Sequence, residues 1–412
     1  MSEQPHLVVV GASLAGLRAA EGARRSGFTG AITLLGDEPH TPYDRPPLSK
    51  EFLTADAVPA PTVLREQAML RDELGIDVRL GTAATGLDPD GREIATSDGP
   101  LRYTTAVIAT GATPRTIPGT EQLAGVHVLR TIDDARKIRE ALDSGARTVV
   151  VGAGFIGSEI AASARARGVE VTVVEAMATP LARPVGEQMG RVLASLHERN
   201  GTTLRVGVGV EALEGEDKVR AVRLADGTTI EAELVVVGIG VTPNTEWLRG
   251  CVELDNGVVC DEFLRTSAEG VYAAGDIANW LNPTFGRRMR LEHWTIAAEQ
   301  GGHAGRNAAD PGAATPFETV PYFWSDWYGK RIQFVGVAAD ADEVLPVAGD
   351  LDGDSFVTLY RRGDKLSGAL ALEQRSQIMK YRAMLAAQAS WDEALAFAKE
   401  RAAKAAAKAA AP

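Results

Sequence analysis

The stretch TVVVGAGFIGSEIAASARARG (residues 148–168) decides the fold. A short valine strand leads into glycines at the spacing G-x-G-x-x-G (Gly152, Gly154, Gly157), and an alanine-rich run of helical character follows. A glycine turn between a buried parallel strand and a helix turns free backbone N–H groups and the positive end of the helix dipole toward one point, which suits a pyrophosphate. The next strand, VEVTVVE (169–175), ends on Glu175, whose carboxylate is placed to accept both hydroxyls of an adenosine ribose and would repel a 2′-phosphate. Ala176, Met177 and Ala178 bring no cation after it, and Arg183 is the nearest arginine, so the pattern predicts NADH rather than NADPH.

The same design occurs earlier. LVVVGASLAGLRAAEGARRSG (7–27) again runs strand, turn (Gly11 to Gly16) and helix, and Asp37-Glu38 follow the next strand. Ser13 stands where the second glycine is expected, which narrows the approach of backbone to phosphate. Residues 6–38 and 147–175 therefore form an internal repeat of one nucleotide-binding unit. Further β-branched runs, AITLL (31–35), AVIAT (106–110) and AELVVVGIG (232–240), extend the βαβ pattern and imply parallel sheets covered on both faces. From about residue 320 the texture changes. PYFWSDWYGKRIQFVGVA and SFVTLYRRGDKLSGALAL read as antiparallel strands, the second stretch turning at G-D-K, and the alanine/lysine-rich end reads as a solvated helix with Lys404 and Lys408 on one face. The fold class is thus α/β: two Rossmann-type dinucleotide-binding domains followed by an α+β C-terminal domain.

Composition narrows the function classes. With 45% hydrophobic and 24% charged residues the chain is globular, and a net charge of −12 argues against nucleic acid or an anionic membrane as main partner. No basic, apolar leader and no run of 18 apolar residues occurs, so a soluble, cytoplasmic protein is expected. The two cysteines, Cys251 and Cys260, form no C-x-x-C pair and no metal-ligand spacing; a single bridge between them stays open, and no metal is expected.

Seven motifs in register, PYDRPPLSK (42–50), ATGATPR (109–115), GAGFIGSE (152–159), GIGVTPN (238–244), YAAGD (272–276), EHW (292–294) and PYFWSDW (321–327), resemble the FAD-dependent NADH:ferredoxin reductases of bacterial oxygenase systems. The resemblance spans nearly the whole chain. It implies an FAD domain in two parts (1–113 and 242–319), an NADH domain (114–241) and a C-terminal domain over the flavin (320–412). It implies FAD contacts from Gly11, Ser13, Ala15 and Gly16 at the pyrophosphate, Asp37 at the ribose, and Arg45, Lys50, Ala83, Ala109, Thr110, Gly111, Arg115, Asp276, Glu292 and His293 around the rest. NADH contacts fall to Gly152, Gly154, Phe155, Ile156, Gly157, Glu159, Glu175, Arg183, Gly238, Ile239 and Gly240. Catalytic roles fall to Lys50, Glu159, Trp294 and Trp324, with both tryptophans beside the isoalloxazine. Arg45 and Lys50 match basic residues beside FAD, where a fixed cation stabilises the negative charge that develops on reduction. Ser13 and Trp327 depart from the family's usual choices.

Nicotinamide gives up hydride, whereas a flavin takes hydride and releases electrons singly, so two nucleotide sites in one chain read as a converter. The resemblance implies an iron–sulfur ferredoxin, [2Fe–2S] in type, as acceptor, supplying a monooxygenase or a ring-hydroxylating dioxygenase. Rubredoxin is the close alternative. With no cysteine before residue 251, dithiol relay near the flavin is not expected. A signalling flavoprotein resembling apoptosis-inducing factor is disfavoured by the acidic balance and the absence of long basic runs. Arg306, Lys330, Arg331, Arg361 and Arg362 are candidates for a local basic docking patch.

Overall fold

The computed structural model describes residues 4–120, 122–339 and 341–409. The chain divides into two units, one of residues 1–44, 60–113 and 241–319 and the other of residues 45–59, 114–240 and 320–412.

The first unit is built on a five-stranded parallel sheet in the order Val271–Ala273, Thr105–Ile108, His6–Val10, Ala31–Gly36, Ile76–Leu80. Val8, Val9 and Leu34 are wholly buried, as runs covered on both faces require. Helix Leu14–Arg25 packs against helix Trp294–Ala309 at backbone range. A Cβ on Gly301 would lie 2.1 Å from the Ala15 carbonyl oxygen, and one on Gly305 would lie 2.0 Å from that of Ala19. Only glycine admits such an approach, so these positions fix the seating of the first fingerprint helix.

The second unit repeats the topology. Its parallel sheet runs Thr203–Val206, Val171–Glu175, Thr148–Val151, Leu234–Val237, Val126–His127. In both sheets the fingerprint strand has its sequence successor on one side and a much later strand on the other, so a crevice opens where the strand order reverses. The antiparallel sheet Tyr322–Trp327, Lys330–Gly336, Lys365–Leu372, Phe356–Arg362, Glu343–Gly349 belongs to this unit, and Gly363 and Asp364 of the G-D-K segment form the turn into the strand that starts at Lys365. Its inner face shares one core with helices Phe155–Ala166 and Ala182–Arg199, through Phe323, Trp327 and Phe334 against Ala162, Met189 and Leu193. The final helix is Trp391–Ala409, where Lys404 pairs with Glu400; the Lys408 side chain lies outside the described residues. Among the described residues no helix is long and apolar enough to cross a membrane.

Candidate functional site

The two glycine turns are superimposable in their contacts. Gly11 N–H bonds the Leu35 carbonyl at 2.8 Å and Gly152 N–H bonds that of Val174 at 2.7 Å. A Cβ on Gly11 (φ 113°) would sit 2.2 Å from the Ala109 carbonyl oxygen, and one on Gly152 (φ 103°) 2.3 Å from that of Gly238. Gly16 lies against the Gly11 carbonyl as Gly157 lies against that of Gly152, at 1.9 and 2.2 Å for their added Cβ atoms. These four glycines are demanded by the fold. Gly154 is different: its φ is −75° and the nearest protein atom to an added Cβ is 4.0 Å away, so nothing in the chain needs glycine there. An open cradle at a helix N-terminus fits a pyrophosphate that must come close to the backbone. Ser13 holds the equivalent helix-capping position with φ −109°, which a serine adopts without strain.

In the first unit Asp37 is exposed at the strand end, while Glu38 accepts from Tyr43 Oη at 2.6 Å. Ala109, Thr110 and Gly111 follow the end of the strand beside the fingerprint turn, and Ala83 follows the edge strand Ile76–Leu80. Asp276 sits in the Gly275–Ile277 turn, where Gly275 N–H bonds Gln300 Oε1 at 2.9 Å. Gln300 is wholly buried and its Nε2 has no acceptor among the described residues, a donor that fits a polar cofactor group. Arg290 donates to the Asp276 carbonyl at 3.0 Å and pairs with Glu292 at 2.8 Å. His293 caps the helix that begins at Trp294; burial pushes its imidazole down to about 4, and Trp294 Nε1 donates to Asp44 Oδ1 at 2.6 Å.

In the second unit the Glu175 carboxylate accepts Ala153 N–H at 2.9 Å and Met177 N–H at 2.8 Å, so it is oriented beside the cradle. Ile156, Met177 and Ile239, at the helix start and just after two strand ends of this sheet, are 42–47% exposed, apolar surface suited to ring systems. Gly240 accepts from Arg115 N–H at 2.9 Å, and Arg183 is exposed near the kink at Gly186. The Phe155 ring turns into the core, 4.6 Å from that of Phe323, which leaves its backbone at the cradle. Trp324 lies on the partly exposed face of its strand, stacked on Tyr322 at 6.1 Å.

Lys50 and Glu159 also meet in this unit. Glu159 is 3% exposed rather than a surface glutamate, and its Oε2 accepts from Lys50 Nζ at 2.7 Å and Ser49 Oγ at 2.5 Å. Oε1 accepts from Ser325 Oγ at 2.5 Å and Asp326 N–H at 3.4 Å. Segment 45–59 is clamped around this pair. Ser163 Oγ donates to the Ser49 carbonyl, Arg139 to those of Phe52 and Ala55, Arg167 to that of Leu53, and Arg45 to that of Arg130. Glu159, Ser163 and Arg167 recur every fourth residue, so one side of the fingerprint helix and its C-cap carries the segment that holds Lys50.

A family model described as pyridine nucleotide-disulphide oxidoreductase matches residues 5–301, and a second, described as reductase C-terminal, matches residues 322–407. The chain belongs to the pyridine nucleotide-disulphide oxidoreductase family. It is therefore an oxidoreductase with FAD and NAD(H) as cofactors. It is 37% identical over 387 residues to rhodocoxin reductase of Rhodococcus erythropolis, covering 93% of this chain and 90% of that one. It is 40% identical over 353 residues to the ferredoxin–NAD(+) reductase component of the p-cumate 2,3-dioxygenase system of Pseudomonas putida, covering 85% of each. Among solved structures, putidaredoxin reductase in its covalent complex with putidaredoxin matches with a TM-score of 0.87 at 32% identity, covering 93% of both chains.

The family description names a disulphide, but neither cysteine here is suited to relay. Both are free thiols; burial pushes that of Cys260 well above the usual range, and Cys251 Sγ donates to the Leu87 carbonyl at 3.0 Å. Four of the five basic docking candidates have internal partners. Lys330 pairs with Asp354 at 3.1 Å, Arg331 forks onto Asp326, Arg361 pairs with Glu343 at 3.3 Å, and Arg306 donates to His303 at 3.1 Å. Lys330, Arg331 and Arg361 are thus each paired with a carboxylate, because long basic side chains in an acidic chain find carboxylates within reach. Sequence reasoning also missed Ser49, Ser163, Arg139, Arg167, Gln300 and Ser325. A small polar residue gives no periodic signal of its own, although strand alternation could have put Ser325 and Trp327 on the face opposite Trp324.

A second buried cluster contributes to acid sensitivity. His197 is wholly buried, with Nε2 3.1 Å from Ser158 Oγ and Nδ1 2.7 Å from Tyr328 Oη, and burial pushes it down to about 4. The unfolded chain, with an ordinary histidine near 6.5, binds a proton that the native state refuses. Stability contributed at neutral pH is thus lost as pH falls from about 6.5 toward about 4, by on the order of 3 kcal/mol for this residue. Urea unfolding at several pH values is expected to show a shallower acid loss in His197→Asn than in the unmodified chain, with buried His293 among the groups that supply the remainder.

Proposed function

We propose that the chain is an NADH:ferredoxin reductase that passes electrons from NADH through bound FAD to a small [2Fe–2S] ferredoxin in the cytoplasm. The ferredoxin in turn supplies a monooxygenase or a ring-hydroxylating dioxygenase. The observation that carries this reading is the doubled cradle, one copy of which presents an oriented Glu175 beside an open Gly154. FAD, when bound, supplies the conversion of a two-electron hydride into single electrons.

The residues divide the work. Gly11, Ser13, Ala15 and Gly16 present the first helix N-terminus to the FAD pyrophosphate, Asp37 takes its adenosine ribose, and Asp276 and Gln300 supply polar contacts farther along. Gly152, Gly154 and Gly157 hold the NADH pyrophosphate, and Glu175 takes its ribose hydroxyls and excludes a 2′-phosphate by charge. Lys50 and Glu159 act as a charged pair in NADH oxidation. Hydride transfer needs no general acid or base, so no triad is called for. In this reading residues 1–113 with 242–319 form the FAD domain, 114–241 the NADH domain and 320–412 the C-terminal domain.

The relatives named for ferredoxin systems support the choice of acceptor, and the state of the two cysteines supports direct exit of electrons. Steady-state NADH oxidation with ferredoxin, rubredoxin, a disulfide and oxygen offered separately is the test. Ferredoxin is expected to be reduced at least about tenfold faster than the others. Faster reduction of rubredoxin would make the chain a rubredoxin reductase, and preference for the disulfide would overturn the reading.

A further inference from the structure

The Trp327 indole lies at the head of a directed hydrogen-bond chain. Its Nε1–H donates to Ser325 Oγ at 2.8 Å, and an indole N–H can only donate. The Ser325 hydroxyl, with a lone pair occupied by that donor, directs its own hydrogen to Glu159 Oε1 at 2.5 Å. Glu159 in turn faces Lys50 at 2.7 Å through its other oxygen. Trp327, Ser325 and Glu159 are 1%, 0% and 3% exposed, so water cannot substitute for a missing donor. The indole is itself held by ring packing, 6.3 Å from Phe155 and 5.3 Å from His197. In a dry, fully connected network each donor sets the rotamer of the next group, and loss of one member propagates to the rest.

We propose that Ser325 and Trp327 are positioning residues for the Lys50–Glu159 pair: the indole aims the serine hydroxyl, the hydroxyl anchors one carboxylate oxygen, and the other oxygen then holds the lysine ammonium in one place. This rests on the reading of Lys50 and Glu159 as a working pair in NADH oxidation. It gives the unusual tryptophan at 327 a role, which is donation of a hydrogen bond from within the core.

Two measurements test it on the full-length protein. The first needs no turnover: among the six tryptophans, the indole N–H signal of Trp327 in a proton–nitrogen spectrum is identified by its loss in Trp327→Phe. That signal is expected to move in Ser325→Ala and also in Glu159→Gln, where the substituted group lies one bond farther along the chain. An unmoved signal in both variants would overturn the chain. The second is rapid-mixing reduction of the bound flavin by NADH. Ser325→Ala and Trp327→Phe are each expected to slow the limiting rate roughly tenfold, short of the hundredfold loss that a 1 Å misplacement brings, with NADH affinity held within about twofold and Ser325→Thr restoring the rate. Trp327→Phe nearly keeps the volume, so it serves if Ser325→Ala fails to fold. Limiting rates in Ser325→Ala and Trp327→Phe equal to that of the unmodified protein, while Lys50→Met and Glu159→Gln are slow, would overturn the positioning role alone. Unimpaired Lys50→Met and Glu159→Gln would instead overturn the pair's part in the reaction.

Discussion

Gly154→Asp is expected to abolish reduction of the bound flavin by NADH while leaving the melting temperature unchanged. An added Cβ at this position has its nearest protein atom 4.0 Å away and the backbone φ is −75°, so the substitution strains nothing in the chain. The new carboxylate would stand at the helix N-terminus where the pyrophosphate is proposed to bind. It would fill the space, and its charge would oppose the phosphates that the helix dipole and free N–H groups favour. A loss of at least about a thousandfold in kcat/KM for NADH is expected, since steric exclusion and like-charge repulsion act on the same contact. Gly152→Ala is the contrasting variant: its Cβ would meet the Gly238 carbonyl oxygen at 2.3 Å, so there the fold itself suffers and the melting temperature falls. Thermal melting and NADH titration of the two variants separate a glycine needed by the ligand from one needed by the chain.

Glu175→Arg is expected to reverse coenzyme preference. The carboxylate is held by Ala153 and Met177 N–H groups, and the three residues after it bring no cation. Arginine at this position removes the acceptors for the ribose hydroxyls and offers a fork that matches a 2′-phosphate. Charge-assisted hydrogen bonds are worth about 1.5–3 kcal/mol each, so the ratio of kcat/KM values for NADH and NADPH should swing by roughly a hundredfold or more. The new side chain leaves two backbone N–H groups without their carboxylate, which limits the absolute NADPH rate. A preference for NADPH in the unmodified protein would contradict the proposed role of Glu175.

The repeat was legible because it rests on short-range rules. A strand of β-branched residues, glycines at fixed spacing and an alanine-rich helix state their own geometry, and the same contacts at Gly11 and Gly152 follow from it. Ser13 looked like a defect in sequence, yet its backbone angles are ones that serine takes freely, so the departure carries no strain. The Lys50–Glu159–Ser325 network was not legible. Ser49 and Glu159 lie 110 residues apart, and Glu159 and Ser325 lie 166 apart, so no periodicity couples them. The pairing of surface charge was not legible for a related reason. Lys330, Arg331 and Arg361 are basic in sequence, but their reach brings carboxylates from neighbouring strands and turns, which sequence spacing does not announce.

Electrons enter at the cradle of Gly154 and Glu175 and leave from FAD to an iron–sulfur carrier: that proposal is met most directly by an anaerobic single turnover. The purified protein is mixed with one equivalent of NADH, then with excess oxidised ferredoxin, and reduced ferredoxin is counted. Two ferredoxins reduced per NADH, with none in Gly154→Asp, is the expected result, because hydride carries two electrons and the carrier takes one. Oxidation of NADH with no ferredoxin reduced, or the same yield from Gly154→Asp, would contradict it.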